Sequence, residues 1–386
     1  MMNTRHPINQ ALGPVVNNVL FNDTWEVFTA ALEDGYRMYE TKTCENLADV
    51  EFDGGLGHVR LLRRTQYIIL VGGGKNPQFP PNRIQVINNI TGKIFLFMEF
   101  GATVLGVRLS GEYLVVIFEG GMTLYTFKDR PELLQSLDTA SNPLGLCCLG
   151  KRLYAFPAST SGQIRLVDLK TRNVSIIPAH NSALQAISLS NDEEILVSAS
   201  KTGTLIRVWS TSNCSKLAEL RRGVEYSTIF SLAISPSNKY LAVTSDKSTL
   251  HIFDLEEVLS PGANTEAVRQ RSGSATKRPS ETQQKYGLLA QIPGMPRLFS
   301  DHYSFATAHF ESVDEEEEFV GAMKNKREWC GPGIKPVKGL IGWTTDEDLH
   351  VVGAGFDARW EKYAIRVGAE NKRTCVRLGW RRYMDL

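Results

Sequence analysis

Short runs rich in Val, Ile, Leu, Tyr and Phe recur along almost the whole chain, separated by turns of Gly, Asn, Asp and Ser, while the spacing of an amphipathic helix is scarce. The segments VLGVRLSGEYLVVIFEGGMTLYTF (104–127), ALQAISLSNDEEILVSASKTGTLIRVWS (183–210) and IFSLAISPSNKYLAVTSDKSTLHIFDL (229–255) share one grammar. Each reads as an apolar strand, a polar turn, a second apolar strand, a small-residue turn and a third strand ending in an aromatic residue or Asp. Weaker copies occupy 21–40, 59–74, 144–169 and 339–365, which makes seven units. Most begin about 40 to 46 residues after the one before, the period of a propeller blade of four short strands. The expected fold is all-β, a seven-bladed β-propeller of WD-repeat type forming a single domain over residues 1–386.

The rhythm breaks once. Residues 256–300 carry the Ser, Pro, Gly and charge content of a flexible excursion, SPGANTEAVRQRSGSATKRPSETQQKYGLLAQIPGMPRLFS, and are expected to form a long loop inside the sixth blade. SFATAHF (304–310) is the expected closing strand of that blade, and the acidic run VDEEEEF after it reads as a solvated connector.

Composition narrows the function. The 386 residues are 42% hydrophobic and 22% charged, enough for a large core. Forty-three basic residues against forty-two acidic ones leave a net charge of +1, so no global charge drives the chain to nucleic acid or to a membrane. Any anion binding must come from a local cluster. The six cysteines show no C-x-x-C pair and no dense disulfide spacing, the first residues are polar, and no apolar run approaches the roughly 18 residues of a membrane span. A soluble, cytosolic protein is expected. GGGK (72–75) lacks the rest of a phosphate loop, and no metal-ligand or nucleophile–base motif occurs. Neither an enzyme, nor a metal, nor a cofactor is expected.

Two matched sets of polar residues remain. His180 precedes the fifth unit, whose SASKTGTLIR supplies Ser200, Thr202, Thr204 and Arg207, and His251 closes SDKSTLH, with Ser245, Lys247, Ser248 and Thr249 just before it. Hydroxyl, imidazole and guanidinium groups together suit an oxyanion such as a phosphate. A histidine at such a place can equally brace strands from within a propeller. Between the sets lies LRRG (220–223). In extended chain, Arg221 and Arg222 point to opposite sides, Arg221 back toward the fifth unit's set and Arg222 forward toward the sixth's. The bland alternative is a pair of arginines on a wet surface, which contributes little.

LRRG and its flanking repeats resemble the Phe-Arg-Arg-Gly signature of the PROPPIN family, the seven-bladed propellers that include the WIPI proteins of animals and the homologous-with-swollen-vacuole proteins of fungi. LVGGGKNPQFPPNRIQVI (70–87), AHNSALQAISL (179–189), SASKTGTLIRVW (198–209), SFATAHF and the blade ending in WEKYAI match as well, and the 70–87 stretch is similar to the fungal vacuolar-swelling branch. The resemblance implies binding of phosphatidylinositol 3-phosphate and phosphatidylinositol 3,5-bisphosphate at two sites. The first would use His180, Ser200, Thr204, Arg207 and Arg221, and the second Arg222, Ser245, Thr249 and His251. Leu220 replaces the signature Phe, and Ser248 replaces a Gly in a turn suited to positive φ.

The resemblance also gives the long loop a role. Between Arg269 and Arg297 it holds six basic residues against one acidic, followed or accompanied by Leu288, Leu289, Ile292, Met295, Leu298 and Phe299. Near an anionic leaflet each basic residue contributes roughly 1 kcal/mol, and each inserted Leu or Phe about 1.5 to 3 kcal/mol. In the family the corresponding loop enters the bilayer; the residues alone leave open that LLAQIPGMPRLF folds back onto the sixth blade. Ser260, Ser272, Ser274 and Ser280 would let phosphorylation weaken the contact. The implied protein is a monomeric, non-enzymatic adaptor in autophagy and vacuolar or endosomal trafficking, cytoplasmic and peripheral on vacuolar, endosomal and pre-autophagosomal membranes. Autophagy lipid-transfer proteins are implied partners. The rival class is a WD-repeat scaffold with no lipid specificity.

Overall fold

The computed structural model describes residues 15–62, 66–260, 302–310, 338–355, 358–368 and 372–384. Seven antiparallel sheets, each a meander of neighbouring strands, form the blades of a β-propeller. Burial falls from the axis to the rim. The second strands of the first and sixth blades, Val27–Leu32 and Tyr240–Ser245, are buried at every position, whereas the outer strands Asn46–Glu51 and Leu133–Asp138 alternate exposed and half-buried residues. A strand near the axis is covered by a neighbouring blade on both faces, so it reads as a continuous apolar run.

The core is accordingly divided into seven wedges, one between each pair of adjacent blades. The wedge between blades five and six is built from Ala199, Ile206, Val208 and Leu220 on one side and Ile229, Leu241, Val243 and Phe253 on the other. Leu220 is fully buried there, which explains why an aliphatic side chain is accepted at the head of LRRG.

The sequence pattern showed three strands per unit; the structure adds a fourth at the rim, where polar residues interrupt the apolar signal. In blade six that outer strand is Ala306–His309, within the expected 304–310, and it pairs antiparallel with Thr249–Asp254 from Thr249 opposite His309 to Ile252 opposite Ala306. The excursion before it begins as a helical turn, Leu255–Leu259, rather than as irregular chain. The Asp254 side chain caps it by accepting from the Glu257 amide, and Leu255 is buried. Just before the outer strand, His302 and Tyr303 lie parallel beside Leu220 and Arg221, adding a fifth strand to blade five. The apolar residues 288–299 and the acidic connector lie outside the described residues. No helix among the described residues is long and apolar enough to cross a membrane.

The ring closes without a shared strand, because blades one and seven are each built from consecutive strands. Packing closes it instead. Phe28, Tyr39 and Tyr383 form a ring cluster with centroids 5.0 to 5.2 Å apart, Tyr383 donates to the Gly353 carbonyl at 2.8 Å, and Trp360 Nε1 donates to the Thr41 carbonyl at 2.8 Å. Tyr383→Ala should therefore destabilise the protein by about 3 to 5 kcal/mol, the range for emptying a buried aromatic site. Tyr383→Phe, which loses only a hydrogen bond, should cost about 1 kcal/mol, and urea denaturation of the two variants separates packing from hydrogen bonding.

Candidate functional site

LRRG ends the outer strand of blade five, Lys216–Arg221, and the register of that blade decides what each arginine meets. Ser198 pairs with Arg207, Arg207 with Glu219, and Leu205 with Arg221. Partners across antiparallel strands share a face, so Ser198, Ser200, Arg207, Glu219 and Arg221 all lie on the side toward blade four. Leu220 falls on the opposite side, in the wedge toward blade six. Arg222 follows it there, only 9% exposed, with Nε donating to the Gly203 carbonyl at 2.9 Å and Nη2 to the Glu225 carbonyl at 2.7 Å. The alternation expected from the sequence is thus what the register produces.

On the blade-four side, His180 reaches Ser198 Oγ at 2.9 Å, and the same oxygen accepts from Trp209 Nε1 at 2.9 Å. This is the bracing role that the sequence left open for His180. Arg207 donates through Nη1 to the Ala179 carbonyl at 2.6 Å and through Nε to Glu219 at 2.8 Å, and Glu219 also pairs with Lys216 at 3.3 Å. Burial raises the Glu219 carboxyl, but the Arg207 bond and the two cationic neighbours outweigh it and hold it below the usual range. Glu219 is a built-in competitor for any anion that seeks Arg207. Ser200 is buried and bonded to Thr202 at 2.9 Å. Thr204 stands apart from this face: its carbonyl accepts from the Arg222 amide at 3.0 Å, placing it in the wall between the two sets.

On the blade-six side, Ser245 pairs in register with Thr249 and Thr249 with His309, while Val243 pairs with His251 and His251 with Thr307. Ser245, Thr249, His251, Thr307 and His309 share the face toward blade five, the face on which Val243 and Phe253 join the wedge. The Ser245 and Thr249 hydroxyls are 3.2 Å apart, and His251 Nδ1 is 3.1 Å from Ser304 Oγ. Ser245 has no exposed surface, so it forms floor rather than mouth. Ser248 adopts φ 51°, the left-handed conformation that a Gly would take without strain. Beside it, Lys247 pairs with Glu225 at 3.5 Å, and Asp246 accepts from Ser227 Oγ at 2.5 Å.

Ser198, Glu219, Ser304, Thr307 and His309 were not among the expected site residues. The first two were visible as strand alternation in a single blade. Thr307 and His309 belong to the strand Ala306–His309 and Ser304 lies just before it, all 55 to 60 positions after Thr249 in sequence, and only pairing brings them in. The six loop residues Leu288, Leu289, Ile292, Met295, Leu298 and Phe299 lie outside the described residues. Among the described residues, no group of three His, Cys, Asp or Glu side chains could hold a metal ion.

A seven-bladed propeller with two cation-, hydroxyl- and imidazole-bearing faces on either side of an Arg-Arg dipeptide defines a class of anion-reading binding propeller. The profile of the PROPPIN family matches residues 16–310. The chain belongs to the PROPPIN family, whose propellers bind phosphoinositides and serve autophagy. Among its relatives, the SVP1-like protein 2 of Emericella nidulans is 46% identical over 326 residues, covering 84% of this chain and 99% of that protein. The SVP1-like protein 2 of Neurospora crassa is 38% identical over 98% of this chain and 97% of its own. Among solved structures, Kluyveromyces lactis Hsv2 superposes with a TM-score of 0.73 at 18% identity, covering 96% of this chain and 99% of that one. A complex of KlAtg21 with the coiled coil of AgAtg16 gives a TM-score of 0.66 at 16% identity, covering 95% and 99%.

Both site histidines are neutral at pH 7. Burial, then the charge of Arg207, lowers His180 to about 4; burial, then Arg222 and His309, lowers His251 to about 4. The unfolded chain, with His near 6.5, takes up protons first as pH falls, so stability is fully present above about pH 6.5 and is lost toward pH 4. Urea midpoints should drop between pH 7.5 and pH 5, with each of these histidines contributing about 1 kcal/mol or more. A His180→Gln, His251→Gln variant should show a shallower drop over the same window.

Proposed function

We propose that the two faces are separate headgroup pockets for phosphatidylinositol 3-phosphate and phosphatidylinositol 3,5-bisphosphate, the first centred on Arg221 with His180, Ser200, Thr204 and Arg207, the second on Arg222 with Ser245, Thr249 and His251. The observation that supports this reading is that Arg221 shares a face with Ser198 and Arg207 through the strand register, while Arg222, just past the strand, is buried on the other side, where its charge acts on His251. A phosphate monoester brings nearly two negative charges and three acceptor oxygens, which such a set of donors can meet. Each pocket is modest. Arg207 is shared with Glu219, and part of Arg222 is spent on backbone carbonyls. Two modest sites on one rim gain from acting together, since the second binding event becomes intramolecular.

The protein acts in this reading as a membrane-recruited adaptor on vacuolar, endosomal and pre-autophagosomal membranes, with the basic and apolar residues of the 256–300 excursion, Leu288 to Phe299 among them, adding a bilayer contact. Lipid-transfer proteins of autophagosome growth are the proposed partners. KlAtg21, a propeller of the same fold, has been solved in complex with the coiled coil of AgAtg16, which supports a protein partner for the fold.

Flotation with phosphatidylcholine vesicles, with and without phosphatidylinositol 3-phosphate, tests the pockets. Arg221→Ala should bind several-fold more weakly. Arg222→Ala should weaken binding to a similar degree and also destabilise the fold by about 1 to 3 kcal/mol, because the Gly203 and Glu225 carbonyls lose their donor. The double variant should not float. Equal flotation of all folded variants would leave the protein a scaffold without lipid specificity.

A further inference from the structure

The segment after LRRG presents an arrangement that neither pocket uses. Val224 is 71% exposed and Tyr226 is 78% exposed, among the most exposed large apolar side chains described, although the next apolar residue, Ile229, is buried. Their exposure does not come from a slack connection. Arg222 Nη2 holds the Glu225 carbonyl, the Ser227 amide donates to the Thr202 carbonyl at 3.2 Å, and Ser227 Oγ bonds Asp246. The segment is stapled to the 200–204 turn of blade five and to the 246–248 turn of blade six. The backbone is fixed while the two side chains on either side of Glu225 stand in solvent.

Around them stand two lysines and two carboxylates, beside the arginines of LRRG. Lys201 is exposed on one turn and Lys247 on the other, and of the two nearby carboxylates Glu225 is paired with Lys247 and Asp246 is bonded to Ser227. Gly203 makes this close approach of turn and loop possible: a Cβ there would lie 1.7 Å from the Ser227 carbonyl oxygen.

We propose that Val224 and Tyr226 form a fixed interfacial anchor that enters the headgroup layer of an anionic membrane between the two phosphate pockets. The proposal rests on the two-pocket reading for its position, since a bilayer that delivers headgroups to Arg221 and Arg222 also meets the segment that follows them directly. The size of the feature favours a lipid surface over a protein. Two side chains fall far short of the roughly 800 Å² per partner of a stable protein interface, but they suit shallow insertion. Tyrosine is also the side chain that favours the membrane–water boundary, with an apolar ring and a polar tip. The anchor is separate from the 256–300 excursion and is preformed, so it requires no ordering on contact.

The test measures two affinities for the wild type and a Val224→Ser/Tyr226→Ser variant: for soluble inositol 1,3-bisphosphate by calorimetry, and for phosphatidylcholine vesicles carrying phosphatidylinositol 3-phosphate by flotation. The variant should keep the wild-type affinity for the soluble headgroup and bind vesicles about tenfold more weakly, the loss expected for one or two withdrawn apolar side chains. Tyr226→Trp should gain tryptophan emission that brominated lipids quench. Unchanged vesicle affinity in the serine variant would overturn the anchor and point to a protein as the occupant of this pair. Parallel loss of headgroup and vesicle binding would overturn it too, by making these residues part of a pocket. A wild type that ignores the soluble headgroup yet floats through Val224 and Tyr226 would sink the two-pocket reading and leave the anchor standing.

Discussion

A guanidinium buried between two backbone carbonyls holds the functional rim of this propeller together. Arg222 joins the turn of blade five, through Gly203, to the segment that enters blade six, through Glu225, and its own amide is tied to Thr204. A planar group with several donors in a fixed fork is suited to this task in a way that lysine is not. The same side chain faces the hydroxyls and histidine of blade six, so structure and recognition draw on one residue. Arg222 has more N–H groups than the two carbonyls consume, which is what allows both uses.

The two pockets differ in how they are prepared. On the blade-four side the charge of Arg207 is already balanced by Glu219, and His180 is committed to Ser198 Oγ, which also accepts from Trp209. In the proposed reading, an anion there would exchange one partner of Arg207 for another. On the blade-six side the carboxylates stand at the edge, with Asp246 on Ser227 and Glu225 on Lys247, and the buried floor is made of hydroxyls. Keeping both histidines neutral avoids burying further positive charge beside the arginines, whose own burial is already costly. Moderate pockets of the proposed kind would favour recognition that depends on several contacts at once.

The wedge architecture explains how so divergent a sequence keeps the fold. Each blade needs only apolar residues on both faces of its inner strands and small or polar residues at its turns, a requirement met by many sequences. Leu220 meets that demand inside the wedge with an aliphatic side chain where the signature has Phe, while in the turns outside the wedges Ser248 can hold a left-handed conformation.

The number of blades and the opposite directions of Arg221 and Arg222 were legible in the sequence, because both follow from patterns of apolar and polar residues over short stretches. The outer strands were only partly legible, since residues such as those of Asn46–Glu51 alternate between water and a half-covered face and carry little apolar signal. Tertiary structure alone decided the rest. It set the register of Ala306–His309 against Thr249–Ile252 across a long excursion, gave His180 its Ser198 partner, closed the ring through Tyr383 and left Val224 and Tyr226 in water. Each of these depends on which distant segment lies alongside. That is fixed by the packing of whole blades, and local sequence pattern carries no record of it.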